Sequence, residues 1–305
     1  MQLIAYIALI VATICWGGNA VAGKFAVGHI SPMLLTFLRW FSAAVIIVAI
    51  SVPQLVKDWP VVRKNLPLLI FYGAIGYTAF NALLYSALQY TTAINAVIEQ
   101  AGIPMLIFVI NFALFRTPVS PAQMVGFSLT LAGIALTAAH GDLATLARLT
   151  LNVGDALMLL CVVSYAVYTV ALRWKPIIDW RSLMAFPALG ALLASVPLVL
   201  WEASKEAIIW PDATGWIIVV YTAVFPSLLA QILFIKGVEM IGANRAGLFI
   251  NLVPVFGMLL SVAILGENLQ TFHIIALTLA LGGIAIAEKG RPRPPVPVEP
   301  ATVRD

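Results

Sequence analysis

Few residues in this 305-residue chain could do chemistry, and most of those that could lie inside long apolar runs. Arg39 and Glu99 are the charges set deepest, about 12 Å in from Ser31 and about 10 Å in from Thr92 at 1.5 Å per helical residue. A bare charge at such depth in a bilayer costs somewhere between about 2.5 and 17 kcal/mol, depending on how it is measured. Each therefore needs a partner or a wet space, and the matched depths predict a charge pair of Arg39 with Glu99. Glu99 is also read as the only carboxylate deep in the runs, which makes it the candidate to meet a cation or to carry a proton.

Neutral polar and aromatic residues accompany this pair. Tyr77, Asn81 and Tyr85 recur every four residues and so share one helical face. Trp16 with Asn19, Tyr165 with Tyr168, and Ser227 with Gln231 form similar short stripes, while Gln100 and Asn251 stand beside two prolines. Any one of these stripes is explained by helix packing, in which an amide or hydroxyl bonds across a contact. Their recurrence at corresponding places favours a shared cavity. Pro104 and Pro254 each remove the donor that would serve the carbonyl four residues back, at Gln100 and Ile250. Two such sites predict paired hinges or a cavity rim.

Other chemistries find no support. The chain has no HExxH or GxSxG motif, so an intramembrane enzyme, the alternative from a different class, lacks its usual signatures. Gly18 to Lys24 fits GxxxxGK, but Phe25 follows where a P-loop has Ser or Thr, and no strand precedes it. His29, His140 and His273 lie far apart with no ligand spacing, so neither metal nor cofactor is expected. Cys15 and Cys161 sit in apolar runs and read as small hydrophobes.

The elements that position these residues must be membrane helices. The chain is 62% hydrophobic and 10% charged, against about 25% charged in a soluble domain. A spanning helix needs roughly 20 apolar residues, and ten runs qualify, near 3–26, 31–51, 66–86, 92–115, 120–139, 152–174, 181–201, 214–235, 242–265 and 269–288. The first is a span rather than a cleaved signal, because no Lys or Arg precedes it and it is too long. Lys and Arg concentrate in alternate loops and in the C-terminal tail. Lys24, Arg148 and Lys205 alone fall on the other side, and Arg39 lies within a run. The positive-inside rule then places both termini in the cytoplasm. The net charge of +4 reflects this topology rather than nucleic-acid binding.

The chain also repeats itself. Pro254 follows Pro104 by 150 residues, and the same offset carries Ala93 onto Ala243, Ala113 onto Ala263, and Leu131, Gly133, Ile134, Ala135 onto Leu281, Gly283, Ile284, Ala285. Five helices per copy is an odd number, so the second copy must enter the membrane inverted. The expected architecture is an all-α membrane protein of ten transmembrane helices in two inverted five-helix repeats. The first repeat covers 1–140, the second 152–289, and 290–305 is a proline-rich, disordered cytoplasmic tail. Gly126, Gly133, Gly282 and Gly283 read as packing contacts between helices, within one subunit or in a homodimer.

The stretches WGGNAVAGKF, FLRW around Arg39, LVPVFGMLLSVAILGENL and LTLALGGIAIAE resemble the EamA branch of the drug/metabolite transporter superfamily. The likeness covers residues 1–289, and within the superfamily the chain is most similar to bacterial aromatic amino-acid exporters. Pro254, Gly266-Glu267 and Gly282-Gly283 match the late part of the family pattern. The first copy departs from it with Arg116-Thr117, so Glu267 reads as structural. The resemblance implies a central cavity lined by the first, third, fourth, sixth, eighth and ninth helices, those bearing the stripes above.

These readings converge on a secondary transporter in the inner membrane, monomer or homodimer, exporting amino acids or related small metabolites by alternating access. The substrate site is expected from Trp16, Asn19, Tyr77, Asn81, Tyr85, Glu99, Gln100, Tyr165, Tyr168, Ser227, Gln231 and Asn251. Glu99 would meet the ammonium, amides the carboxylate, and the aromatic rings the side chain. With Arg39 neutralised by Glu99, a phosphate substrate is disfavoured. A multidrug or organic-cation exporter of the same superfamily is the alternative.

Overall fold

A computed structural model of the chain describes residues 2–116, 119–142 and 152–290. Thr117, Arg148 and the tail beyond Gly290 lie outside the described residues. Ten helices are long and apolar enough to cross a membrane: α1 (Gln2–Phe25), α2 (Pro32–Val62), α3 (Leu66–Ala87), α4 (Ala93–Phe115), α5 (Pro121–Ala138), α6 (Val153–Trp174), α7 (Trp180–Ser204), α8 (Ala213–Ile241), α9 (Arg245–Leu265) and α10 (Thr271–Lys289). The described residues contain no strand. Starts are marked by side-chain caps at Thr92, Ser120, Asn152, Asp179 and Asp212, each accepting from an N–H of the first turn. The Gly215 N–H and His29, 2.7 Å away, hold the Asp212 carboxyl below the usual carboxylate range.

Helix α1 packs on α8 and α9, as α6 packs on α3 and α4, and α2 lies on α7 and α5 on α10. The α5–α10 contact is built on glycine. A Cβ on Gly126 would stand 2.3 Å from the Gly283 carbonyl, and one on Gly133 would stand 2.6 Å from that of Ala276. Residue numbers rise on one helix as they fall on the other, so α5 and α10 run in opposite senses. Gly282 has nothing within 4 Å of its would-be Cβ and takes no part in this contact. Helices α2 and α7 cap each other. Glu202 at the end of α7 accepts from Ser31 Oγ (2.7 Å) and from the Met33 and Leu34 N–H groups (3.1 and 3.0 Å), while Asp58 on α2 accepts from the Asp179 N–H and Ser182 Oγ. Glu202 is 5% exposed. The carboxylate compensates the positive helix N-terminus.

One face of the bundle is tied across its loops. Lys24 Nζ donates to the Leu88 and Thr91 carbonyls, Asn152 to that of Tyr90, and the Ser31 N–H to that of Ile209. Glu267 accepts from the Ala93 and Ile94 N–H groups at 2.8 and 2.9 Å, capping α4, and Asn95 joins His140 to His273. The structural reading of Glu267 agrees with this geometry.

Backbone irregularities recur at the 150-residue offset. Hydrogen bonding widens to the π pattern over Tyr72–Ala79 in α3 and over Phe225–Leu229 in α8. Helix α4 breaks at Ala101 and Gly102 and restarts at Ile103–Phe115, with Pro104 in its first turn. Helix α9 tightens at Ile250–Leu252 before Val253–Leu265, with Pro254 in its first turn. Proline is favoured at such starts, where no N–H donor is needed. Both second segments end left-handed, at Arg116 and at Gly266. The prolines thus open new helical segments instead of bending continuous ones.

Candidate functional site

The centre of the bundle is organised by Arg39, which is 4% exposed. Its Nε donates to Ser227 Oγ at 2.8 Å, and its Nη1 to Asn19 Oδ1 (2.7 Å), Asn81 Oδ1 (2.8 Å) and the Tyr85 hydroxyl. Tyr85 in turn donates to Asn19 at 2.9 Å, and Ser227, inside the π segment of α8, donates to the Thr222 carbonyl that precedes it. Among the described residues no hydrogen bond uses Nη2. Four predicted site residues, on α1, α3 and α8, are brought together, but around a buried guanidinium.

The expected charge pair does not form. Every partner of Arg39 is a neutral oxygen, and no ion pair among the described residues includes Arg39 or Glu99. Matched depth was a poor guide because depth ignores the azimuth of each side chain. Glu99 faces α6, where its neighbour is Asp155, a second buried carboxylate at 5% exposure. Asp155 also overturns the reading of Glu99 as the only deep carboxylate. Asp155 stands in the first turn of α6, and the sequence did not mark it out.

Beside Arg39 lies an aromatic cluster. Trp40, 5.1 Å from the guanidinium carbon, stacks on Tyr77 with ring centres 4.5 Å apart. Tyr77 meets Tyr168 edge-on at 5.7 Å, and Tyr168 meets Tyr165 at 5.4 Å. Although these rings belong to the middle of the bundle, Tyr77, Tyr165 and Tyr168 are only half-buried. Trp16 is also half-buried, donates to the Pro226 carbonyl at 3.1 Å and leans on Phe234. Gln231 and Asn251 are half-buried and make no side-chain hydrogen bond among the described residues, while Gln100 donates back to the Ala96 carbonyl. Polar and aromatic groups left partly open inside an apolar bundle are suited to a solute that brings its own donors, acceptors and ring. Trp40 was not selected in the sequence, where it stands only as the last residue of FLRW. Among the described residues no group of acidic, His and Cys side chains could hold a metal.

Ten apolar helices around a polar and aromatic centre define a multi-span membrane protein. The chain belongs to the EamA-like transporter family, which matches residues 3–139 and again 152–288. Among its relatives are the uncharacterized transporters YetK and YyaM of Bacillus subtilis (strain 168). YetK is 28% identical over 93% of this chain and 87% of its own, and YyaM is 27% identical over 92% of each. The aromatic amino acid exporter YddG of Ancylobacter novellus is 25% identical, covering 90% of this chain and 94% of its own. A solved crystal structure shares the fold with a TM-score of 0.62 at 23% identity, over 93% of this chain and 96% of that one.

Proposed function

We propose that this transporter exports amino acids, aromatic ones among them, across the inner membrane by alternating access between two inverted five-helix halves. The observation that carries the reading is Arg39, a buried cation held by neutral oxygens only and joined through Trp40 to the half-buried Tyr77. A buried charge without a counter-ion is costly, and a substrate carboxylate supplies one. Nη2 and the rim of the Asn19–Asn81–Tyr85 shell receive that carboxylate, and the substrate ring lies among Tyr77, Tyr165 and Tyr168. The ammonium meets tyrosine faces, worth about 0.5–2 kcal/mol, and the open amides Gln231 and Asn251. This reverses the roles assigned from sequence, with Arg39 in place of the amides as anion receptor and Glu99 outside the centre. Because Glu99 does not neutralise Arg39, charge alone does not disfavour a phosphate. A single guanidinium with no second cation beside it among the described residues still suits a monovalent carboxylate better than a dianionic phosphate.

The relative YddG supports the substrate class. The opposed α5 and α10, the equivalent breaks in α4 and α9, and the double family match support two inverted halves moving about Pro104 and Pro254. With both termini cytoplasmic, the tied face is the outer one, and the chain is closed on that side. The test is flux of labelled phenylalanine, tyrosine, tryptophan and tetraphenylphosphonium in proteoliposomes. Saturable amino-acid flux above empty vesicles is expected. Flux of tetraphenylphosphonium alone would assign the protein to organic-cation export instead.

A further inference from the structure

An open crevice lies away from Arg39. Helices α4, α5 and α6 enclose a crevice of about 420 Å³ whose lining includes Leu106, Ile134 and Val162, with Glu99 and Asp155 at one end. That volume is within the usual range of small-molecule sites, about 300–1,000 Å³. Its mouth is on the flank, where Leu131, Leu159 and Leu160 are each more than half exposed, the surface that acyl chains cover in a membrane. The wall is apolar apart from the two carboxyl groups.

Those carboxyls are short of donors. Glu99 is 4% exposed, and its Oε1 and both Asp155 oxygens are buried without a hydrogen-bond partner. His140 Nε2 is 3.7 Å from Asp155 Oδ2, and the Thr91 hydroxyl and the Glu99 carboxyl stand near Asp155 without reaching hydrogen-bonding geometry. Ionised carboxylates only accept hydrogen bonds, and an ammonium offers three N–H donors from one compact charge. Two like carboxylates side by side repel, so a cation between them relieves both the repulsion and the missing bonds.

We propose that this crevice binds an amphipathic primary amine entering from the lipid, its ammonium between Glu99 and Asp155 and its alkyl body along Leu106, Ile134 and Val162. The site is separate from the Arg39 centre and does not rest on the amino-acid reading. The N–H donors make it selective. A quaternary ammonium has the charge but no donor, and an alcohol has a donor but no charge.

The test is equilibrium binding of labelled n-octylamine to the full-length protein in lipid nanodiscs, with n-octyltrimethylammonium and n-octanol as competitors. Saturable octylamine binding is expected, at least tenfold tighter than for either competitor. Glu99→Gln and Asp155→Asn should each weaken it at least tenfold, and Leu106→Trp, which fills the crevice, should abolish it while the protein stays monodisperse. Absence of saturable binding to the wild type would overturn the proposal. So would equal affinity for the quaternary ion, or full binding in Leu106→Trp. Phenylalanine flux on the same preparation separates the two readings: flux without octylamine binding removes this site alone, and octylamine binding without flux removes the amino-acid function alone.

Discussion

Replacing Arg39 by lysine is the sharpest perturbation of the centre. The guanidinium divides its donors between Ser227 on one side and Asn19, Asn81 and Tyr85 on the other, with Nη2 left for a ligand. Lysine keeps the charge but gathers its donors on one compact ammonium, which cannot serve both sides and a substrate carboxylate at once. One hydrogen bond to a charged group is worth about 1.5–3 kcal/mol, and each 1.4 kcal/mol is tenfold in affinity. Phenylalanine affinity should therefore fall roughly 10- to 150-fold in Arg39→Lys. Phenylethylamine has no carboxylate to lose. Its affinity, read as displacement of labelled phenylalanine so that only the shared site counts, should change by less than about threefold, the scatter of uncoupled changes. Calorimetric melting would confirm that the variant is folded. Equal losses for both ligands, or undiminished phenylalanine binding, would refute the assignment of Arg39 as the carboxylate receptor.

Other expectations follow from the scaffold. Glu202→Ala leaves the α2 start without its acceptor and should cost about 1–3 kcal/mol, read as a lowered melting temperature in detergent. Gly126→Leu forces a side chain into the Gly283 carbonyl and should prevent monodisperse folding, whereas Gly282→Leu, facing open space, should be tolerated. Cysteines introduced as Glu206→Cys and Lys64→Cys, with Cys15 and Cys161 replaced by alanine, should react with an impermeant maleimide in intact cells at position 206 only. The reverse pattern would invert the topology. Asp212, whose carboxyl is held low by the Gly215 N–H and His29, contributes fully above the ordinary aspartate pKa of about 3.9. That contribution is lost as pH falls through its lower folded value, so Asp212→Asn should flatten the acid side of the melting curve.

The ten helices were legible in the sequence because an apolar run of bilayer length has few other uses. The 150-residue offset read from the sequence recurs in the backbone, down to the left-handed ends at Arg116 and Gly266. Asn19, Asn81, Tyr85 and Ser227 could be selected as polar groups too costly to be idle in an apolar bundle, and they do converge. The sequence carries depth but not azimuth, and there it misled: Arg39 and Glu99 share a level yet turn to different neighbours. Asp155 and Glu202 were hidden for a related reason. A carboxylate near a helix end reads as solvated, and only the packing of a second helix over it reveals burial.

The most direct measurement is a structure of the protein with a bound aromatic amino acid. The account predicts the ligand carboxylate against Arg39 Nη2 and its ring among Tyr77, Tyr165 and Tyr168. A ligand seated elsewhere, with Arg39 still enclosed by its four neutral partners alone, would contradict it.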